Sequence, residues 1–424
     1  MTSFRFIHTA DIHLDSPLRG LAGQEGSAAE RIRAAPREAF DTLIGQAIQE
    51  KVDFVVIAGD LYDGNWRDYR TGLFFVRQMG RLAEEGIPVF LLYGNHDAES
   101  QITRRLVLPG NVRTFSSRRP ETFALEGLGV TLHGQSFPRP DVTDNLVPDY
   151  PQPMQGTFNI GVLHTGLGGM GDHANYAPCA LQDLVNKGYD YWALGHVHQG
   201  CVLNERPHVV FPGNLQGRHI RETGAKSAYL VTVNDGEVAE LSPIHADVVR
   251  WALLPVPVDG CTQMSEVVDR VRAAIENAVE RDSDGRLLAC RIELTGRGEI
   301  HGTLLASRED LLAEARGAAL GLGEEAAWVE RVVIATQAAV GPETLRGRED
   351  ALGELQRMLE AAGEDEELHE RLKADIGRLV SGLPHEVRAE SEDAALKAAI
   401  DGKYAGLVGE MSGYLTARIT AQGQ

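Results

Sequence analysis

The chain has 424 residues, 43% of them hydrophobic, and carries 41 basic against 61 acidic side chains for a formal net charge of −20. That length calls for two or three domains with a sizeable core, and the acidic balance argues against a protein that holds nucleic acid by bulk charge alone. No apolar run reaches the ~18 residues of a membrane span; the chain opens on a strand without a charged leader, and Cys179, Cys201, Cys261 and Cys290 form no C-x-x-C pair, so a reduced, cytoplasmic protein is expected.

The spacing predicts a strand over Arg5–Thr9, a helix over Ala28–Lys51 that Pro36 should kink or break, and a β-branched strand over Asp53–Ala58. An amphipathic helix over Tyr69–Glu85 and a strand over Val89–Tyr93 follow. Shorter strands are expected at Val112–Phe115, Thr122–Leu125, Val130–Gln135 and Asn159–His164, then a helix over Ala180–Lys187 and a strand over Asp190–Leu194. Strand pairs come last, near Val202–Leu203, His208–Phe211, Ser227–Val233 and Val238–Pro243. Helix-containing crossovers first and strand pairs later predict a two-sheet α/β sandwich. Pro138–Pro153 reads as a long Pro- and Asp-rich loop, placed near a site or over it.

Beyond a strand-rich link at Asp247–Val258, the pattern is helix (Gln263–Glu280), strand (Arg286–Thr295), helix (Arg308–Ala319), strand (Ala327–Thr336), a small second α/β unit. From Glu343 it is helical, with breaks at Gly363, Gly382-Leu383-Pro384 and Gly402. The expected domains are therefore 1–244, 245–340 and 341–424. The acid is uneven: an excess of 7 acidic side chains in residues 1–240 and of 13 in 241–424. Its densest run, Glu364-Asp365-Glu366-Glu367, reads as a solvated helix start.

Five short segments supply metal-binding side chains, four of them closing apolar strand-like runs. They are Asp11-Ile12-His13, Gly59-Asp60, Gly94-Asn95-His96-Asp97, His164 in Val162-Leu163-His164-Thr165-Gly166, and Gly195-His196-Val197-His198. The i, i+2 pairs point to one side at a strand end. Asp60 follows a tight strand exit where a bridging carboxylate is wanted, and Asn95 offers a neutral oxygen. Phosphodiesters resist attack because they are anionic and water is a poor nucleophile; two ions about 3.5–4 Å apart neutralise the phosphate and lower the pKa of a bridging water, so that hydroxide forms near neutral pH. A set of imidazole, carboxylate and amide ligands suits Mn²⁺ or Fe²⁺ better than Mg²⁺. Taken singly, an Asp-x-His is usually a capped loop and Gly-Asn-His-Asp a turn; all five in order read as one metal site.

The set D-x-H, GD, GNHD, H and GHxH resembles the calcineurin-like metallophosphoesterase superfamily. His8-Thr9-Ala10-Asp11-Ile12-His13-Leu14 resembles its SbcD-type DNA-repair nucleases, and Asp15-Ser16-Pro17-Leu18 with Phe211-Pro212-Gly213-Asn214-Leu215-Gln216-Gly217-Arg218-His219 resembles the YhaO-like branch. The resemblance covers roughly residues 1–240 and implies a four-layer α/β/β/α nuclease domain followed by a small α/β cap that helps choose DNA. It implies one metal on Asp11, His13, Asp60 and His198 and another on Asp60, Asn95, His164 and His196, with Mn²⁺ the expected ion. His96 would protonate the leaving oxygen or stabilise charge on the phosphate, with Asp97 orienting its ring. A helical tail would dock on an SMC-like ATPase of SbcC or YhaN type through Leu352, Leu355, Met358 and Leu359, with packing of these residues on the cap domain as the alternative, and the chain would form a homodimer. The sequence departs from the nucleases at Asp63, where they usually carry a His linked to handling the DNA end; this puts exonuclease action on duplex DNA in doubt.

Arg218, His219 and Arg221 read as a phosphate clamp at the rim of the site, helped by backbone amides of the glycine-rich turn before them. Arg104-Arg105 and Arg118-Arg119 are weighed as backbone contacts against ordinary loop charge, Trp66 and Tyr69 as stacking platforms against core or lid, and His173 as a loop residue. The leading expectation is a Mn²⁺-dependent DNA nuclease subunit. A phosphodiesterase for small phosphates and a regulatory subunit that binds DNA or its ATPase with little turnover stand as alternatives.

Overall fold

The computed structural model describes residues 3–16, 27–63, 69–99, 106–169, 175–383, 394–404, 407–408, 411 and 414–415. Trp66, Arg104, Arg105, His173 and the Pro17-Leu18 part of Asp15-Ser16-Pro17-Leu18 lie outside these described residues. The chain divides into two compact units: 1–252 with 279–289 and 324–328, and 253–278 with 290–323 and 329–424.

The first unit holds two six-stranded sheets. One contains β1 (Phe4–Thr9), β2 (Phe54–Ala58), β3 (Val89–Leu92), β4 (Val112–Thr114), β11 (Ala228–Asn234) and β12 (Glu237–Ile244), in the order β12-β11-β1-β2-β3-β4. The other contains β5 (Glu121–Leu125), β6 (Val130–Gly134), β7 (Phe158–His164), β8 (Tyr191–Gly195), β9 (Cys201–Glu205) and β10 (His208–Phe211), in the order β5-β6-β7-β8-β10-β9. β1 to β4 run parallel to one another, as do β6, β7, β8 and β10. The strands that carry the motifs therefore all end at one edge.

Alternation along the strands builds the layers. Phe6, Phe54, Val56 and Phe90 of the first sheet meet Leu132, Ile160, Val162 and Tyr191 of the second in a core between the sheets. Phe6 and Phe54 stack with centroids 4.9 Å apart; a fully buried Phe contributes on the order of 2–3 kcal/mol. The intervening residues, Ile7, Val55, Ile57 and Leu91, face outward onto Phe40, Leu43, Phe75 and Met79 of helices α1 (Ser27–Gln49) and α2 (Tyr69–Glu84). Leu163, Trp192 and Leu194 of the second sheet face Phe137, Val147, Tyr150 and Leu184.

The fold is thus the expected layered sandwich of two sheets, with two differences of detail. Among the described residues the outer layer of the second sheet has one α-helix, Leu181–Lys187, and much of the layer is the segment 137–153, which packs through Phe137, Val142, Leu146 and Tyr150. Helix α1 also runs unbroken past Pro36, because a proline removes one N–H bond whereas the buried Ala35, Phe40 and Leu43 hold both sides of it on the core.

In the second unit, helices Met264–Ala278 and Arg308–Gly321 pack on each other and bury Val267, Val271, Ile275, Leu311 and Ala315. A three-stranded sheet, in the order β13 (Val249–Pro257), β14 (Leu287–Thr295) and β16 (Ala327–Ile334), is joined by the short pair β15 (Arg297–Gly298) and β17 (Gln337–Ala338). A helix at His301–Ala306 was not signalled by periodicity. Helix Ala351–Glu364 continues through Gly363; the break falls at Asp365, whose carboxylate caps the next helix, Glu366–Ser381, by accepting from the Leu368 N–H.

Candidate metal centre

Backbone turns at the strand ends aim the candidate ligand side chains. Asp11, His13, Asp60 and His196 all have positive φ, 50°, 47°, 52° and 103°, conformations that cost roughly 1–3 kcal/mol each for residues other than glycine. Asp11 and His13 donate their N–H groups to the carbonyls of Gly59 and Asp60, both at 3.0 Å. Across the sheets, the His196 N–H donates to Asp11 Oδ2 at 2.9 Å, and His164 Nδ1 to the Ala58 carbonyl at 2.9 Å. The close approach needs a residue without a side chain: a Cβ on Gly94 would stand 2.4 Å from Asp60 Oδ1, and one on Gly195 would stand 2.0 Å from the Ala58 carbonyl.

All seven expected ligands meet there. Their side chains fall into two groups, Asp11 with His13 and His198, and Asp60 with His164 and His196, joined by a third, His13 with Asp60 and His96; within each the ligand atoms lie within 4.8 Å of one another. In the first, His13 Nε2 and His198 Nε2 are 3.2 Å apart, and His198 Nε2 is 3.8 Å from Asp11 Oδ1. In the second, His164 Nε2 is 3.0 Å from Asn95 Oδ1 and 3.4 Å from Asp60 Oδ2. Asp60 Oδ2 also lies 4.0 Å from His13 Nε2, so this carboxylate stands between the groups.

The hydrogen bonds test whether a cation fits. His164 Nδ1 faces a carbonyl, and His198 Nδ1 faces Glu222 Oε1 at 2.7 Å. Each Nδ1 therefore carries the proton, and each neutral ring presents a lone pair from Nε2. With the rings neutral those lone pairs would meet only carboxylate, amide or imidazole acceptors, and without a cation His164 takes a second proton, on Nε2, toward Asn95 Oδ1 and Asp60 Oδ2. Such a set is unfavourable by itself and is satisfied by divalent cations; nitrogen and oxygen without sulfur suits first-row ions.

The electrostatics agree. Burial raises Asp11 to about 7. Burial and the Arg218 charge lower His13 to about 4, and burial pushes His198 well below its ordinary value. His164 goes the other way: its burial is outweighed by the Asp60 charge, which lifts it to about 9. Asp60, against its own burial, is held well below the carboxylate range by His164 and His96. Without a cation the site draws on protons for positive charge.

His96 has a half-exposed side chain, 39%, at the rim of these buried groups. Its expected partner was Asp97, and here the structure differs. His96 Nδ1 stands 2.9 Å from Asp63 Oδ1, whereas the Asp97 carboxylate accepts from the N–H groups of Leu61, Tyr62 and Gly94 at 3.1, 2.9 and 3.1 Å. The two residues are adjacent in the short helix α3 (Asn95–Glu99), and neighbours one apart on a helix do not face each other. Asp97 thus fastens the loop after β2 to the turn after β3, and Asp63 holds the imidazole.

Arg218 is largely buried. Its guanidinium reaches Glu222 at 3.1 Å and Asp63 at 3.9 Å. The Arg218 N–H donates to Glu222 Oε2 at 2.7 Å. His219 Nε2 lies 3.7 Å from the same carboxylate, and Arg221 is exposed. The sequence did not signal Glu222, the residue that orients His198. It also did not signal Phe137 and Tyr176, whose rings meet His164 and His196 edge-on at 5.6 Å each. Asp63 was noted as a departure, without this role.

Residues 4–200 match the family model of calcineurin-like phosphoesterases, and residues 251–337 match the middle domain of metallophosphoesterase YhaO. The chain is 38% identical over 276 residues to the uncharacterized metallophosphoesterase YhaO of Bacillus subtilis, a match that covers 64% of this chain and 67% of that one. It is 28% identical over 309 residues to the DNA double-strand break repair protein Mre11 of Methanopyrus kandleri, covering 66% of this chain and 65% of that one. Among solved structures, a dimetal phosphatase from Danio rerio aligns with 11% identity and a TM-score of 0.33, covering 58% of this chain and 100% of that one. Among the described residues no helix is long and apolar enough to cross a membrane. The chain belongs to the calcineurin-like metallophosphoesterase superfamily, phosphoester hydrolases that use divalent metals, and within it to the YhaO-like branch.

Proposed function

We propose that the protein is a two-metal phosphodiesterase that cuts DNA, with Asp11, His13, Asp60 and His198 holding one ion and Asp60, Asn95, His164 and His196 the other. The observation that carries this reading is the convergence of buried lone pairs with Asp60 between the two groups. A divalent pair seated there, Mn²⁺ first among the candidates with Fe²⁺ or Mg²⁺ as alternatives, supplies charge neutralisation of the phosphate and acidifies a bound water. His96, outside the ligand set and half-exposed, donates the proton that a departing alkoxide needs. Asp63 takes hold of Nδ1, stabilises the imidazolium and leaves Nε2 for the leaving oxygen.

DNA as substrate is supported by the similarity to Mre11 proteins named for double-strand break repair. On the same ground we propose an SMC-like ATPase partner, docked by residues 341–424, a homodimer, and a cap role for 245–340 beside a nuclease domain of 1–244. The test is Mn²⁺-dependent cleavage of end-labelled linear duplex, hairpin and single-stranded DNA. Cleavage that vanishes with Asp60→Ala supports the reading, and the product ladder gives the polarity. A second reading, hydrolysis of small phosphodiesters, is favoured by the carboxylate of Asp63 where the resembled nucleases carry an imidazole. Turnover of bis-p-nitrophenyl phosphate with every DNA untouched, also when the ATPase is added, selects it.

A further inference from the structure

We infer that the groove lined by Arg118, Arg119 and Gln135 binds a nucleotide of a single strand, one or two positions from the phosphate that is cut. The inference rests on the phosphodiesterase reading and extends it to a subsite away from the metals. The groove holds about 430 Å³, and Pro120, Asp149 and Pro151 also line it, a size suited to one nucleotide.

Its position follows from the sheet. Gln135 comes directly after Gly134, the last residue of β6. β6 is the parallel neighbour of β7, which ends on His164. Two residues on, Phe137 packs edge-on against the His164 ring at 5.6 Å and donates its N–H to the Tyr93 carbonyl at 2.8 Å, one residue before Gly94. Arg118 and Arg119 lie in the turn from β4 to β5, which the Ser136 N–H joins through the Ser116 carbonyl at 3.0 Å. With β5 and β7 two strand spacings apart, the groove lies on the order of 10 Å from the strand end bearing His164, on the same edge.

The chemistry fits a nucleotide. In a chain with 61 acidic and 41 basic side chains, arginines are readily paired: Arg5 with Glu50, Arg37 with Asp15, Arg81 with Asp41, Arg291 with Glu330. Arg118 and Arg119 are exposed, and among the described residues neither guanidinium has an ion-pair partner. Two adjacent guanidinium groups suit a phosphodiester oxygen pair. The Gln135 amide and the Asp149 carboxylate offer donors and an acceptor to a base edge, and the prolines offer apolar faces. The Watson–Crick edge of a base meets such groups only when it is unpaired, and the subsite is therefore assigned to a single strand.

The test uses the full-length chain and a fluorescein-labelled eight-residue oligo(dT), with anisotropy measured in EDTA and hydrolysis of bis-p-nitrophenyl phosphate measured in Mn²⁺. The Arg118→Glu/Arg119→Glu protein is expected to bind the oligonucleotide at least tenfold more weakly. Its salt slope should fall by about 1.4, roughly 0.7 per lost phosphate contact. Its kcat/KM for the small diester is expected to match the unaltered protein. An Arg206→Glu/Arg308→Glu protein, which makes the same change in net charge elsewhere, is expected to bind as the unaltered protein does. No oligonucleotide binding by the unaltered protein, equal affinity of the groove variant, or equal loss in the charge control each overturns the subsite. An unaltered protein that cleaves neither the small diester nor any DNA while the groove variant still loses binding overturns the phosphodiesterase reading and leaves the groove standing as a single-strand binding site.

Discussion

His96 and Asp63 form a hydrogen-bonded pair, Nδ1 to Oδ1 at 2.9 Å, at the mouth of the metal centre. The same carboxylate accepts from Ser16 Oγ at 2.5 Å and lies 3.7 Å from His13 Nδ1 and 3.9 Å from Arg218. One acidic side chain thus links the proposed proton donor, a proposed metal ligand and the arginine beside them. His96 is raised to about 9: its burial is outweighed by the charges of Asp60 and Asp63.

Asp63→Asn removes one of those charges. The His96 imidazolium is then less favoured, so its pKa falls and the alkaline limb of the rate profile moves to lower pH. The rate at the optimum is expected to drop roughly 10- to 100-fold, the scale for losing an orienting partner. His96→Ala is expected to lose on the order of 10²–10⁴-fold with a poor leaving group and much less with p-nitrophenolate, which departs unprotonated. Metal content should be unchanged in both. Full activity of His96→Ala on an alkyl diester would remove its role as proton donor.

Glu222 reaches His198 Nδ1 at 2.7 Å and is itself buried. Glu222→Gln keeps the shape but lowers the basicity of the ring. Affinity for one of the two ions is expected to weaken about 10- to 100-fold, with the second barely affected. Calorimetric titration of metal-stripped protein reads the two sites separately, and two unchanged affinities would show that Glu222 does not act through His198.

Gly94 leaves no room for a side chain beside Asp60. Gly94→Ala is expected to displace the Asp60 carboxylate and remove metal-dependent activity while the chain stays folded, read by metal analysis alongside circular dichroism. Two bound ions and normal turnover would mean that the backbone gives way there at little cost.

Stability should follow the protons that the site holds. His164 and His96 sit at about 9 in the folded chain against an ordinary 6.5. A group raised on folding stabilises fully below its unfolded value, and that contribution is lost as pH rises through the folded value. Metal-free protein is therefore expected to lose stability between pH 7 and 9. Mn²⁺ replaces the proton on the proposed ligand His164, so the gain in Tm on adding it should be larger at pH 9 than at pH 7. Thermal melts at the two values, with Mn²⁺ or EDTA, check this; an equal or smaller gain at pH 9 contradicts it.

The gathering of the candidate ligands was legible because their motifs follow strands. A short run of apolar residues followed by Asp, Asn or His can be read along the chain, and parallel strands bring their carboxyl ends to one edge. The sandwich was legible for the same reason, from alternation and crossovers. Orientation of the site was not. Asp97 sits next to His96 in sequence yet turns to the backbone of Leu61, Tyr62 and Gly94, whereas Asp63 comes from another strand end. Glu222 stands 24 residues after His198 in an irregular segment, and no local pattern marks a carboxylate that meets its partner only through the fold. Helix α1 likewise continues through Pro36 because packing outweighs local propensity.

The most direct measurement is a Mn²⁺ titration of metal-stripped protein, followed at once by bound-metal stoichiometry and by hydrolysis of bis-p-nitrophenyl phosphate, with Asp60→Ala alongside. Two ions bound per chain, activity that rises with the second, and neither in Asp60→Ala is the predicted result. Hydrolysis that survives chelation, or that is unchanged in Asp60→Ala, would contradict a two-metal centre built around Asp60.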